Sequence, residues 1–207
     1  MNNALKIAAV AGSLLLGSCA PALQAATTAA APGRLSVAQP APDVTAGTLK
    51  LSSPQFADGA VLPMEQVGSG NGCTGMNVSP ALNWSGAPAG TVSYVLTTYD
   101  PDAPTGSGFW HWVTFNIPAT AAGLAKGAGS AGGTLPAGAV MLNNDGGTSG
   151  YTGACPPVGS APHRYVFTLY ALNRTLDLPA GVSPAYVGFN LNGSTLAKAS
   201  ITATYNR

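Results

Sequence analysis

The sequence predicts an all-β domain with minor α content, folded as a two-sheet β-sandwich with one short helix near the C-terminus. Short β-prone segments alternate with turn signals, and the chain contains 27 glycines and 17 prolines. Only 7% of the residues are charged while 46% are hydrophobic. A chain with this apolar fraction and little net charge folds rather than staying disordered. Many short strands separated by turns are typical of a sandwich.

Residues 1–19 have the pattern of a signal peptide: Lys6 is followed by an apolar run over residues 7–16. This run is shorter than the roughly 20 residues of a membrane span. Leu16–Cys19 resembles a bacterial lipobox, which predicts lipidation and membrane attachment at Cys19. Cleavage after Ala22 or Ala25 is the alternative. Both alternatives predict export from a bacterial cytoplasm, either to the periplasm or as a membrane-anchored lipoprotein.

Residues 20–47 are rich in Ala, Pro and Thr and show no hydrophobic period, so we interpret them as a flexible linker. The folded domain is expected over residues 48–207. The formal net charge is only +1, and the basic residues of this domain are scattered, so no basic stripe marks a nucleic-acid site.

The strands follow in order along the domain. Leu49 and Leu51 alternate with polar residues, as in a half-buried strand. Further β-prone segments are Tyr94–Tyr99, His111–Ile117, Tyr165–Ala171 and Ser200–Tyr205. The segment Tyr165–Ala171 is apolar on both faces, which predicts an interior strand between two layers.

One helix is predicted, because Ser183 followed by Pro184 is an N-cap with proline at the first helical position. Tyr186, Phe189 and Leu196 are expected to form its apolar face, and Gly193 to interrupt it.

The segment Asp100–Ile117 contains several ionisable side chains close together in the sequence. Asp100 and Asp102 lie in a turn that Pro101 and Pro104 make rigid, and His111 lies near the start of the next strand. These residues predict one wall of a small polar pocket. The alternative is that the carboxylates make turn hydrogen bonds and the histidine is structural, which the spacing alone favours.

Three cysteines are present, and Cys19 is either lipidated or removed with the leader. Cys73 and Cys155 remain, an even pair in an exported protein, which predicts one disulfide. It would close a loop of roughly 80 residues and contribute on the order of 4 kcal/mol in the chain-entropy model. The alternative is two independent thiols.

Three motifs occur in order: D-P-D-A-P-x-G-S-G-F-W-H-W, then N-D-G-G-T-x-G-Y-x-G-x-C-P-P, then P-H-R-Y-x-F-x-L-Y-A-L. From about Leu49 to Tyr205 the chain resembles the phosphatidylethanolamine-binding protein family, in its bacterial Raf-kinase-inhibitor-like (YbhB/YbcL-type) branch. The resemblance implies the two-sheet sandwich of that family and a small pocket for phosphate-like anions. The ligand-binding residues that it implies are Asp100, Asp102, His111, Gly153, Cys155, Pro156, His163 and Tyr165.

Two positions depart from the pattern of this branch: Ala154 replaces the first proline of G-P-C-P-P, and Gly193-Ser194 stands where Gly-His is common. The carboxylates would repel a bare phosphate, so their expected role is to hold a histidine or to accept a ligand amine. Both histidines, the Tyr165 hydroxyl and backbone N–H groups near Gly153 would hold the anion.

These observations predict an exported, non-enzymatic binding protein without a cofactor. Its expected partner is a small phosphate-bearing ligand or a phospholipid headgroup. The oligomeric state stays open between monomer and homodimer. The family's name suggests an inhibitor of a protease or kinase-type partner as an alternative. A hydrolase using Cys155 and His163, and a metal site built from Asp100, Asp102, His111 and His163, are further alternatives.

Overall fold

A computed structural model describes residues 47–207. The predicted signal peptide, Cys19 and all of the predicted linker except Gly47 lie outside the described residues. Within the described part of the chain, no helix combines the length and the apolar character needed to cross a bilayer.

Eight strands, one α-helix and a 3-10 turn form the described fold, which is the predicted mostly-β architecture of two sheets and a short helix. The strands are β1 Lys50–Ser52, β2 Leu82–Ser85, β3 Ser93–Asp100, β4 Phe109–Pro118, β5 Gly123–Leu124, β6 Val140–Met141, β7 His163–Leu172 and β8 Thr195–Tyr205. The 3-10 turn is Met64–Gln66, and α1 is Pro184–Leu191. One sheet has the order β1-β2-β5 and the other the order β6-β4-β3-β7-β8, with antiparallel pairing throughout.

The five-stranded sheet carries a hydrophobic core on each face. All eight residues of β3 are buried, and β7 lies between β3 and β8, as its apolar faces predict. Phe167 and Leu169 of β7 belong to the core between the two sheets, whereas Tyr170 and Leu172 belong to an outer core. Alternate residues of one strand therefore supply both cores.

Helix α1 covers the outer core. The Ser183 side chain accepts a hydrogen bond from the Tyr186 backbone N–H, which is the predicted N-cap. The predicted apolar face is wrong: Tyr186 and Phe189 are exposed and Leu196 lies in β8, while Val187 and Leu191 are buried. The helix ends at Leu191, so the buried stripe follows the i, i+4 spacing of these two residues.

The sheet topology brings the two predicted site loops together. Strands β4 and β7 both pair with β3, and Asp100 at the end of β3 lies opposite Phe109 at the start of β4. On the other side of β3, Tyr99 pairs with Val166, so β7 begins at the same end of the sheet. Three chain segments therefore converge at one end of the sandwich.

Candidate functional site

A cavity of about 260 Å³ opens at this end of the five-stranded sheet. It lies between the turn after β3, the start of β4 and the loop that precedes β7. The residues that line it are Asn71, Asp100, Ala103, Pro104, Thr105, Phe109, His111, Thr152, Gly153, Cys155, Pro156, Pro157, His163 and Tyr165.

Seven of the eight residues predicted to bind a ligand line this cavity. Asp102 is the one that does not. The structure thus brings together side chains separated by about sixty positions along the chain, because their loops end neighbouring strands.

Asp100 and His163 form a buried pair at the cavity wall. The Nδ1 atom of His163 lies 2.7 Å from a carboxylate oxygen of Asp100, and both side chains are almost fully buried. The second carboxylate oxygen accepts the Asp102 backbone N–H at 2.8 Å. These contacts fix the orientation of the His163 ring and leave its Nε2 atom for a ligand.

Asp102 points away from the cavity towards Arg164. One carboxylate oxygen accepts from the backbone N–H and the Nε of Arg164, and the other accepts from its Nη2 at 2.7 Å. This two-pronged contact is the geometry that arginine favours with carboxylates. It raises the pKa of the Arg164 guanidinium. Asp102 therefore ties the acidic turn to β7.

His111 lies between two aromatic rings on β4. Its ring centroid is 4.7 Å from that of Phe109 and 5.1 Å from that of Tyr165. Its Nδ1 lies 2.8 Å from the carbonyl oxygen of Thr152, so Nδ1 carries a proton that it donates. Burial lowers the pKa of His111, against the opposing effects of this hydrogen bond and of Asp100. The ring is accordingly neutral near pH 7.

The Tyr165 hydroxyl is an unsatisfied group in the cavity wall. The residue is 2% exposed, and its hydroxyl has no hydrogen-bond partner among the described residues. Burial, and next the charge of Asp100, raise the pKa of Tyr165, so the hydroxyl keeps its proton. Buried polar groups normally have partners, so an unsatisfied hydroxyl on a residue that lines the cavity is a candidate donor to a ligand.

Residues 152–157 form the loop that closes one side of the cavity. Gly153 donates its N–H to the Asn77 side chain at 2.6 Å, and Ala154 accepts from the Gly68 N–H at 2.9 Å. A Cβ at Gly153 would lie only 2.5–2.6 Å from backbone atoms of residues 66–68. This close approach is why glycine is required there.

Cys73 and Cys155 form a disulfide in the structure, with Cα atoms 5.9 Å apart. It links the loop that carries Asn71 to the loop that carries Gly153. A disulfide sulfur is not a thiolate, so the nucleophile of the alternative Cys155/His163 hydrolase is absent from this structure.

The described residues contain no cluster of three or more His, Cys, Asp or Glu side chains arranged to hold a metal ion. The cavity instead offers one buried hydroxyl donor, two oriented imidazoles and one carboxylate. This set can bind a small polar group that has both acceptor and donor atoms.

Sequence reasoning missed several lining residues. Phe109 could have been found, because it precedes His111 by two positions and so shares its side of β4. Asn71 and Thr105 carry no such local signal. Arg207, which contacts the rim without lining the cavity, was missed as well: its Nε donates to the Pro156 carbonyl at 2.6 Å, a contact 51 residues apart in sequence.

Comparison with known proteins agrees with the fold. The family model described as "Phosphatidylethanolamine-binding protein" matches residues 52–206. YbhB of Escherichia coli (strain K12) is 48% identical over 159 residues, which cover 76% of this chain and 100% of YbhB. LppC of Mycobacterium tuberculosis (strain H37Rv), which its name proposes to be a lipoprotein, is 39% identical over 167 residues, covering 80% of this chain and 75% of LppC.

The crystal structure of Escherichia coli YbcL, described as a new member of the mammalian PEBP family, superposes with a TM-score of 0.75. The two chains are 47% identical, and the match covers 77% of this chain and 99% of that one. The sequence motifs, the two-sheet fold and these similarities agree, and the chain belongs to the phosphatidylethanolamine-binding protein family, in the group of YbhB and YbcL.

Proposed function

We propose that this chain is an exported, non-enzymatic binding protein whose cavity holds a small phosphate-bearing group or a phospholipid headgroup. Proteins of this family bind phospholipid-like ligands in general. The observation that carries the proposal is the buried Tyr165 hydroxyl without a partner, beside His111 and His163. A phosphate oxygen would satisfy it.

Each lining group has a distinct part in this proposal. The Tyr165 hydroxyl donates to a phosphate oxygen. The Nε2 of His163 forms a second hydrogen bond to the phosphate, as a donor only when the ring carries a proton on both nitrogens. His111 binds the anion best when it gains a second proton, because an imidazolium attracts a phosphate far more than a neutral ring does. Asp100 keeps His163 in place, and its negative charge favours an ammonium group attached to the phosphate, as in phosphoethanolamine.

The volume of the cavity limits the ligand. A space of about 260 Å³ lies just below the range of about 300–1,000 Å³ that is usual for drug-sized ligands. A phosphate or phosphoethanolamine group fits this volume, whereas two acyl chains do not. A whole phospholipid would therefore bind by its headgroup, with its chains outside the cavity.

Two observations support export. The Cys73–Cys155 disulfide is a bond typical of oxidising compartments. LppC, which shares 39% identity, carries a name that proposes a lipoprotein. Attachment through Cys19 predicts that the mature protein partitions with membranes and that Cys19→Ala releases it. Soluble full-length protein in the cytoplasm would contradict this proposal.

The binding proposal is tested by removing the hydroxyl that carries it. Tyr165→Phe should weaken binding of inorganic phosphate at pH 6 by at least about tenfold, since a hydrogen bond to a charged group contributes about 1.5–3 kcal/mol. Folding stability should be unchanged or slightly higher, because the lost hydroxyl has no partner in the empty cavity. Calorimetric titration measures the affinity, and urea unfolding measures the stability.

Tyr170→Phe is the matched control, because Tyr170 is also buried but lies in the outer core on the opposite face of the sheet. Its phosphate affinity should equal that of the wild type. Absence of phosphate and phosphoethanolamine binding by the wild-type protein at pH 6 would refute the proposed function. An equal affinity in Tyr165→Phe would refute the role of the hydroxyl.

A further inference from the structure

One half of the cavity loop cannot be held by its own backbone donors. Residues 153 and 154 are fixed by backbone contacts with residues 66–68 and with Asn77. Pro156 and Pro157 follow, and proline has no N–H. At Pro156 and Pro157 the backbone can therefore be hydrogen-bonded only through its carbonyl oxygens, while Cys155 is held by the disulfide.

Arg207 supplies the fastening on the carbonyl side. Its Nε donates to the Pro156 carbonyl at 2.6 Å, and its Nη2 donates to the Asn71 carbonyl at 3.2 Å. Pro156 and Asn71 both line the cavity, and each lies close in sequence to one cysteine of the disulfide. The backbone carbonyl of Arg207 also accepts the Gly159 N–H at 2.8 Å, which keeps its own backbone beside the loop.

Asn71 lies in an exposed turn of the facing loop. Asn71 has a φ of +53°, which is uncommon for residues other than glycine, and its side chain is exposed. A planar guanidinium can donate to two carbonyls held in a fixed arrangement, which an ammonium group does less well. Arg207 and the disulfide therefore join the same two loops by separate routes, one through hydrogen bonds and one covalent.

We propose that Arg207 is a positioning residue for the anion site, bracing the Pro156 rim against the Asn71 loop in parallel with the Cys73–Cys155 disulfide. This inference rests on the proposed function. Arg207 does not itself line the cavity, so it acts through the two loops. Because the hydrogen bonds of Arg207 and the disulfide support the same rim, removing both should reduce phosphate affinity by more than the product of the two single reductions.

The test is calorimetric titration of inorganic phosphate at pH 6 into four proteins: the wild type, Arg207→Gln, Cys73→Ala and the double variant. Cys73→Ala removes the disulfide but leaves the Cys155 side chain at the rim. Each single variant should bind phosphate about threefold more weakly, and the double variant at least about thirtyfold, beyond the ninefold product expected from independent ties. Arg174→Gln is the control, because Arg174 contacts Ser194 and does not line the cavity.

Two further measurements separate positioning from general stability. In Arg207→Gln, amide exchange at Cys73, whose N–H is bonded to Gly70, should accelerate while exchange in β3 and β7 does not change. Arg207→Lys keeps the charge but not the planar fork, so its affinity should match that of Arg207→Gln. This variant also serves if Arg207→Gln does not fold.

The outcomes distinguish the two proposals. Failure of the wild type to bind phosphate overturns the proposed function. Wild-type binding combined with unchanged affinity in Arg207→Gln, or a double variant no weaker than the product of the singles, overturns the role of Arg207. An equal loss of phosphate affinity in Arg174→Gln also overturns the role of Arg207, since the effect would then not depend on the contacts with Pro156 and Asn71. Full rescue by Arg207→Lys shows that charge alone acts and likewise rejects the brace.

Discussion

The two histidines of the cavity differ in what their Nδ1 atoms contact. Nδ1 of His163 meets the carboxylate of Asp100, whereas Nδ1 of His111 meets the uncharged carbonyl of Thr152. A carboxylate compensates a charged ring much better than a carbonyl does. Burial therefore dominates at His111 and lowers its pKa below the ordinary value. The same residue type thus makes two different Nδ1 contacts within one cavity.

This difference predicts how stability depends on pH at a single residue. As pH falls below about 6.5, residue 111 takes up a proton in the unfolded chain, while the folded protein resists protonation. The unfolded state then binds more protons than the folded state. The free energy of unfolding should therefore decrease as the pH is lowered, by up to about 1.4 kcal/mol per pH unit. Urea unfolding between pH 7.5 and pH 5.5 measures this slope.

His111→Gln provides the comparison. It should lower stability at every pH, because the ring contacts with Phe109 and Tyr165 are lost. Its further loss of stability between pH 7.5 and pH 5.5 should be smaller than that of the wild type, because the group whose pKa burial lowers is absent. An identical pH slope in the two proteins would show that His111 titrates normally.

At the scale of elements, the sequence predicted what local chemistry decides. Five of the eight strands in the described residues, β1, β3, β4, β7 and β8, were found because alternation and β-branched residues act over a few positions, whereas β2, β5 and β6 were missed. Helix α1 was found because Ser183 and Pro184 are a local start signal. The buried face of α1 was mispredicted, because large aromatic residues were favoured over the spacing of Val187 and Leu191. Which face of a short helix is buried depends on the surface it covers, which is not a local property.

The cavity loop gives a prediction at this scale, because its path depends on one glycine. Gly153→Ala should lower the free energy of unfolding by about 1–3 kcal/mol, since the new methyl would overlap the backbone of residues 66–68. It should also abolish phosphate binding by displacing the rim. Urea unfolding and calorimetry measure the two effects.

Gly70→Ala is the matched control in the facing loop, because a Cβ there meets no atom within 4 Å. Its stability and phosphate affinity should stay close to those of the wild type. Equal effects of the two substitutions would mean that the close approach at Gly153 is not what fixes the loop.

At the scale of the whole molecule, the convergence of the site follows from topology. Asp100, His111 and His163 could be placed together because loops that end neighbouring strands meet at one end of a sandwich. The contacts of Asp102 with Arg164 and of Arg207 with Pro156 could not be foreseen, as they span 62 and 51 residues. Side-chain direction, rather than strand order, decided that Asp100 faces the cavity and Asp102 does not.

The disulfide gives the last prediction, because it constrains the whole chain. It links positions 82 residues apart, so the chain-entropy model assigns it about 4 kcal/mol of stability. A dithiol that reduces Cys73–Cys155 to two thiols, itself becoming a cyclic disulfide, should therefore lower the unfolding midpoint markedly, by roughly 8–15 °C for a domain of this size. Thermal unfolding with and without the dithiol measures this shift.

Cys73→Ala should show the lower midpoint in both conditions, since it has no such bond to reduce. Equal midpoints for the oxidised and dithiol-treated wild type would mean either that the bond is absent or that the unfolded chain is already as restricted as the bond would make it. Mass spectrometry of a non-reducing digest distinguishes these outcomes by the linked peptides.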